Sequence, residues 1–328
     1  MTAIQIPFDE YLLLEGVNSS ALKSMADSPL AYRWTRDNPS PDSASKRLGR
    51  VGHVAILEPE RYDSAVTVLD GPKPSKASGP EWDAFQAGKA MLKPGRFKAR
   101  AGTPYKEWAQ PFIDDGYAIL LEKDWEKCLE WQKYLHHVGR REVIPKSAGE
   151  LCMQMRDAVR ASPEAMRYLS VGMAEITLQF IDPETGILMK VRIDWLACVN
   201  GAWVLVDLKT ARSINEREFF RQMSDFSTHQ QLAIYRDALR ANGINVERVV
   251  IIAVRNSEPV DAGVFPVCPF SLEAGQQHYR EMLRKVKKCR ESGEWPGRYA
   301  GKETLFEARN WAVGMDNEDD DISFTDED

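Results

Sequence analysis

The sequence predicts an α/β or α+β fold, with a sheet core behind a largely helical N-terminal part. Three observations predict it. Helix-like segments fill much of the chain before position 170, at 18–36, 45–58, 122–137 and 148–170. Three apolar, strand-like runs lie between about 174 and 209, joined by turn signals. A helical stretch, two more strand-like runs and a final helix follow. This places a helical part at about 10–170, a sheet core at about 171–292, and an extension at 298–328.

The first helix can be capped by Ser19 or Ser20, and Leu22, Met25 and Leu30 recur at helical intervals. The second carries a stripe of Leu48, Val51, Gly52, Ala55 and Ile56. His53 lies beside that stripe, on the face of Gly49, among residues small enough to let it reach a neighbouring site. Taken alone, such a residue is more often a surface histidine than a ligand. Residues 71–80 are loop by composition. From Lys89 to Lys106, basic residues are interspersed with Phe97 and Tyr105, and Trp108 lies just beyond. Such a mixture suits a surface loop, or a track along which bases of a single strand stack.

The sheet core carries the chemistry. Asn200-Gly201 between apolar runs signals a two-residue hairpin, because both central residues need positive φ. With Val199 opposite Ala202, the same register puts Asp194 directly opposite Asp207. Opposed Cβ atoms lie roughly 4.5–5.5 Å apart, and like charges at that distance repel. Something positive should therefore sit between them. The strand period of two puts Lys209 on the face of Asp207. Two hard carboxylates suit Mg2+, which binds one or two such groups plus phosphate oxygens. An ammonium beside it can hold or deprotonate an attacking water. Asp194, Asp207 and Lys209 are thus the catalytic candidates for phosphodiester hydrolysis. The bland alternative, two solvent-facing strand acids, fits poorly inside runs this apolar.

Upstream, 174–180 alternates as a strand and reaches Ile187 through the turn Pro183-Glu184-Thr185-Gly186. If Pro183 faces Gly186, Glu175 meets Asp194, as an extra ligand or a group behind the ligands. Downstream, 213–241 reads as mostly helical, with Arg212, Arg217 and Arg221 near the site end as DNA-binding candidates. Gln231 and Tyr235 share one helix face and can both donate to phosphate oxygens. Strands follow at 248–254 and near 262–268. A helix from about 271 to 290 has Tyr279, Met282, Leu283 and Val286 as its stripe.

Composition narrows the function. The chain has 328 residues and 43% hydrophobic content, ample for a packed core. No apolar run approaches the roughly 18 residues of a membrane helix. No signal peptide is evident, and five scattered cysteines give neither a disulfide framework nor metal spacing. A reducing cytoplasm fits. The net charge is −6, but residues 316–328 hold eight acids and no base, so the body carries about +2. That acidic tail reads as disordered. Gly297-Arg298-Tyr299-Ala300-Gly301-Lys302 lacks the spacing and the Ser/Thr of an ATP-binding phosphate loop. No nucleophile elbow appears, and His136-His137 lacks the partners of a zinc site.

Taken together, the motifs resemble the PD-(D/E)xK nuclease superfamily. Gly49 to His53 resembles its GxxxH element and Ile193-Asp194 its first acidic element. Asp207-Leu208-Lys209 resembles its DxK element, and Gln231 to Tyr235 its QxxxY element. Order and spacing are similar to the RecB-type branch, and within it to the exonuclease VIII (RecE) nuclease domain of phages and prophages. The stretch 18–23, Ser28-Pro29 and residues 53–59 resemble that group's N-terminal part, so the likeness covers about 10–297. It implies a single nuclease domain over 1–297, a restriction-endonuclease-like core with a central mixed sheet flanked by helices. It also implies ATP-independent, Mg2+-dependent (or Mn2+-dependent) digestion of linear duplex DNA from the 5′ end, leaving a 3′ single strand. The implied setting is recombination in a bacterial host's cytoplasm, beside a RecT-type annealing protein, by a ring-like homo-oligomer. By the resemblance, His53, Asp194, Asp207 and the Leu208 backbone carbonyl are metal ligands, with Glu175 assisting. Lys209 is the catalytic lysine, and Gln231 and Tyr235 contact DNA or order the site. Ile193 stands where the superfamily name has proline, a common variation in this branch. The cysteines do not fit the four-cysteine iron–sulfur cluster of a related branch.

Overall fold

The computed structural model describes residues 4–38, 42–92, 110, 112–115 and 117–306. The acidic tail and most of the 89–106 basic stretch lie outside the described residues. The fold is mixed α/β. Six strands form the main sheet in the order β1 (Ile4–Gln5), β6 (Gly172–Ile181), β7 (Leu188–Val199), β8 (Ala202–Ala211), β9 (Val246–Arg255), β10 (Ala262–Pro266). All neighbours are antiparallel except β8 and β9, which run parallel. Two parallel strand pairs lie apart from it: β2 (Val66–Leu69) with β5 (Glu142–Pro145), and β3 (Ala90–Leu92) with β4 (Ala118–Leu120).

Helices cover both faces. Early in the chain come α1 (Phe8–Leu13), α2 (Ser19–Ser24), α3 (Pro29–Asp37), α4 (Ala44–Leu57), α5 (Tyr62–Ala65) and α6 (Pro80–Gln86). Then follow α7 (Glu122–Val138), α8 (Lys146–Ala161), α9 (Pro163–Leu169), α10 (Glu216–Asp225), α11 (Thr228–Ala241) and α12 (Pro269–Ser292). One apolar layer joins Leu22 and Tyr32, Leu232 and Ala238 of α11, and Tyr279 and Leu283 of α12 to Leu205, Val249 and Ile251 of the sheet. The opposite layer joins Val51 and Ala55 of α4, Met155 of α8 and Tyr168 of α9 to Val204, Val206, Leu208 and Ile252. Strands buried on both faces explain why these runs are continuously apolar. A third cluster surrounds Trp82, Trp131 and Tyr134. Among the described residues no helix is long and apolar enough to cross a membrane.

Two expected helices are interrupted. The 18–36 helix breaks where the Ser28 side chain accepts from Ala31 N–H and Pro29 opens α3, which leaves Leu30 54% exposed instead of on a buried stripe. The 148–170 helix breaks in the same way, with Ser162 capping Ala165 and Pro163 opening α9. A proline nitrogen cannot continue the preceding helix's hydrogen bonds, so each Ser-Pro starts a new one.

One close crossing fixes α11 over the sheet. A Cβ built on Gly275 of α12 would collide with the His229 carbonyl at the start of α11. Alanine would gain about 1 kcal/mol of helix propensity over glycine, but neither backbone can yield here. Gly275→Ala is therefore expected to destabilise by about 2–3 kcal/mol, read as a lower urea midpoint with unchanged slope.

Candidate metal centre and its surroundings

Both sequence-derived registers hold. Asn200 and Gly201 have φ of 53° and 83°, and Val199 pairs with Ala202. The β6–β7 register pairs Ile181 with Leu188 and Ile176 with Ile193. Both ladders, however, open at the acids. The β7–β8 pairing ends at Trp195 and Val206, one position before Asp194 and Asp207. The β6–β7 pairing skips Glu175 and Asp194.

The cause is a local reversal of the strands. Ala174 packs in the α4–α8 layer, whereas Ile176 packs in the α11–α12 layer. On β7, Ile193 and Trp195 likewise belong to opposite layers. Positions two apart should share a face, so each strand turns over, β6 at Glu175 and β7 at Asp194. Glu175 has φ of 53°, strained for a residue with a Cβ. Because both strands turn over together, their register survives. Arg192 fastens the spot: its guanidinium donates to the Glu175 carboxylate and to the Ile6 carbonyl just past β1.

His53 enters from α4. Gly49 and Gly52 of that helix face Thr210 of β8, so the helix lies close against the strand. Ligand atoms of His53, Glu175 and Asp194 lie within 4.8 Å of one another, and His53 Nδ1 is 3.9 Å from Asp194 Oδ1. Asp194 Oδ2 accepts from Leu208 N–H at 2.9 Å. The Leu208 backbone lies next to the His53 ring and favours its protonated form. Asp207 is wholly buried, and its carboxylate oxygens make no hydrogen bond of good geometry besides an ion pair with Lys209 Nζ at 2.6 Å. Glu175, left open between ligand and support, thus joins the His53–Asp194 cluster directly, while Asp207 is held by Lys209.

The electrostatics call for a cation. Burial and then Asp207 push the Asp194 carboxyl up to about 7. Burial and then Asp194 raise Glu175. Burial lowers His53, keeping its ring neutral and able to ligate. Burial opposes the charge on Lys209, but Asp207 and Asp194 outweigh it and raise its pKa. Three carboxylates thus face Lys209 and Arg192, leaving a negative surplus, and the buried Asp207 Oδ1 has no hydrogen-bond or ion-pair partner among the described residues. One imidazole nitrogen with several carboxylate oxygens is a donor set that fits a divalent cation. A proton on Asp194 competes with the metal below its pKa. Metal affinity is therefore expected to rise about tenfold per pH unit up to about pH 7, then level off. Calorimetric titrations in buffers of different ionisation enthalpy check this; a pH-independent affinity would refute it.

Gln231 Nε2 donates to Tyr235 Oη at 2.8 Å, so the tyrosine's own proton points elsewhere. Burial, then Asp194 and Asp207, raise the Tyr235 pKa strongly, which places its hydroxyl near both acids. Arg212, Arg217 and Arg221 are exposed, and no described contact ties them to the acids. Sequence reasoning missed Lys23 of α2. Its pKa falls to about 8 through burial and then through Lys209, so it stands beside the site. One lysine on a short helix gives no periodic signal that could have found it.

The family model of a PDDEXK-like domain of unknown function matches residues 122–308, a span that holds every site residue above except His53 and Lys23. The search of curated proteins returned no match. Among solved structures, a "Putative exonuclease" from Eubacterium rectale is 13% identical, with a TM-score of 0.49 over 96% of this chain and 99% of that one. A protein called SSO0001 is also 13% identical, with a TM-score of 0.26 over 54% of this chain and 71% of the other. With more than half its length matched, the chain belongs to the family of PDDEXK-like domains.

Proposed function

We propose that the protein is a metal-dependent exodeoxyribonuclease. It digests linear duplex DNA 5′→3′ without ATP, uses Mg2+, and leaves a 3′ single strand for recombination beside an annealing protein. The observation that carries this reading is one cluster. Adjacent strands deliver Glu175, Asp194 and Asp207, β8 adds Lys209 two residues on, and α4 brings His53 against them. The family match supports a PD-(D/E)xK nuclease; the likeness of residues 18–23, Ser28-Pro29 and 53–59 to exonuclease VIII supports the exonuclease class.

His53, Asp194, Glu175 and Asp207 would hold the cation, with the Leu208 carbonyl beside them. A divalent cation there supplies Lewis acidity, favouring ionisation of a water and offsetting charge on the scissile phosphate. Lys209, fixed by Asp207, presents its remaining N–H groups to the attacking oxygen and steadies developing negative charge. Tyr235, whose oxygen already accepts from Gln231, directs its proton to a phosphate oxygen. Burial around Asp207 keeps these interactions strong by excluding water.

A time course with linear duplexes labelled at either the 5′ or the 3′ end tests the reading. Early release of the 5′ label with Mg2+, none with EDTA, and resistance of closed circles are expected. Cutting of closed circles would show an endonuclease, and no cutting with Mg2+ or Mn2+ would leave a binding module.

A further inference from the structure

A cavity of about 410 Å3 opens beside Lys209. Lys23, Lys209, Asp225, Phe226, Thr228 and Gln231 line it. They come from three places: α2, the end of β8, and the joint where α10 passes into α11. Two properties of this lining call for a ligand. Lys23 is only partly exposed, yet among the described residues its ammonium has no hydrogen bond or ion pair. A partly buried, unpaired cation next to a second lysine is costly unless an anion joins it. Phe226 is 56% exposed and makes no ring contact among the described residues. It stands at the joint because Ser227 takes a left-handed conformation, φ 50° and ψ 41°, which turns the chain into α11.

The size restricts the occupant. Small-ligand pockets span roughly 300–1,000 Å3, and this one lies near the lower end. It has room for about one nucleotide unit. Asp225 is the single acid among the six, and it opposes a second phosphate. We propose that this cavity holds one nucleotide of the strand being cut, next to the scissile phosphate and separated from its complement. Its phosphate lies against Lys23 and Lys209, and its base stacks on Phe226. This rests on the nuclease reading and adds to it. The duplex must open at the site, and Phe226 replaces the stacking that the base gives up.

The test compares the wild type with Phe226→Leu, Phe226→Trp, Lys23→Gln and Lys23→Arg, each checked by thermal unfolding. Linear duplexes carry a matched, a mismatched or an abasic end nucleotide. Digestion is measured with Mg2+ and binding by anisotropy in EDTA. On matched ends, Phe226→Leu should lose about tenfold in kcat/KM, and Phe226→Trp should retain it. Lys23→Gln should weaken binding about tenfold, and Lys23→Arg should restore most of it. The wild type should prefer mismatched ends. On abasic ends, wild type and Phe226→Leu should converge, which a merely structural role for Phe226 would not produce. Folded Phe226→Leu and Lys23→Gln variants that cut matched ends within twofold of an active wild type would overturn the subsite and leave the nuclease reading intact. If the wild type cuts nothing, the nuclease reading fails. The subsite then falls too should either variant bind DNA as the wild type does.

Discussion

Asp207→Asn is expected to lower Mg2+-dependent digestion of linear duplex DNA by about three orders of magnitude, with the fold intact. The side chain is wholly buried, so an isosteric amide avoids a cavity. What changes is charge. Asp207 helps hold the Asp194 pKa up, and it is the ion-pair partner of Lys209. The amide relieves the repulsion on Asp194 but withdraws one metal-facing carboxylate and frees Lys209. Thermal unfolding should shift by only a few degrees in metal-free buffer. The stabilisation that added Mg2+ gives the wild type should nearly vanish. Digestion near the wild-type rate in a folded Asp207→Asn protein would remove the carboxylate from the mechanism.

Lys209→Met should give the second largest loss, about 100-fold or more in kcat, with DNA affinity in EDTA falling by no more than about tenfold. The reason is position. Lys209 is held against Asp207 at 2.6 Å and is 23% exposed, so its ammonium acts on the reacting atoms more than on the long DNA backbone. Removing it also takes a cation away from Asp194, so metal affinity above pH 7 should not fall. Lys209→Arg is not expected to rescue turnover, because a guanidinium is wider and fixed in plane. Equal loss of binding and turnover would make Lys209 a DNA-binding residue and no more.

Much of the site was legible because β registers propagate from turns. Asn200-Gly201 fixed one hairpin, and Pro183 to Gly186 fixed the other. Asp182 holds that second turn, its side chain accepting from both the Thr185 N–H and the Thr185 hydroxyl. From these two turns the alignment of Glu175, Asp194 and Asp207 follows by counting. What counting cannot show is where a strand turns over. At the reversal Arg192 bridges Glu175 to Ile6, the latter a contact 186 residues apart in sequence. The short strands β1 to β5 were also invisible. Runs of two to four residues carry no alternation, and their pairings, such as Val66 with Glu142, are distant in sequence. The Ser-Pro breaks at 28–29 and 162–163 did carry a signal, a cap followed by an N1 proline. The helical periodicity on either side masked it. Lys23 and Phe226 reach the site through tertiary packing alone.

Manganese anomalous diffraction from soaked crystals tests the central claim most directly. The account predicts a peak roughly 2.0–2.3 Å from an Asp194 oxygen, also within reach of His53 and of Glu175 or Asp207. The peak should be lost in Asp194→Asn. A fully occupied manganese elsewhere, with the space between β7, β8 and α4 empty at saturating metal, would contradict it.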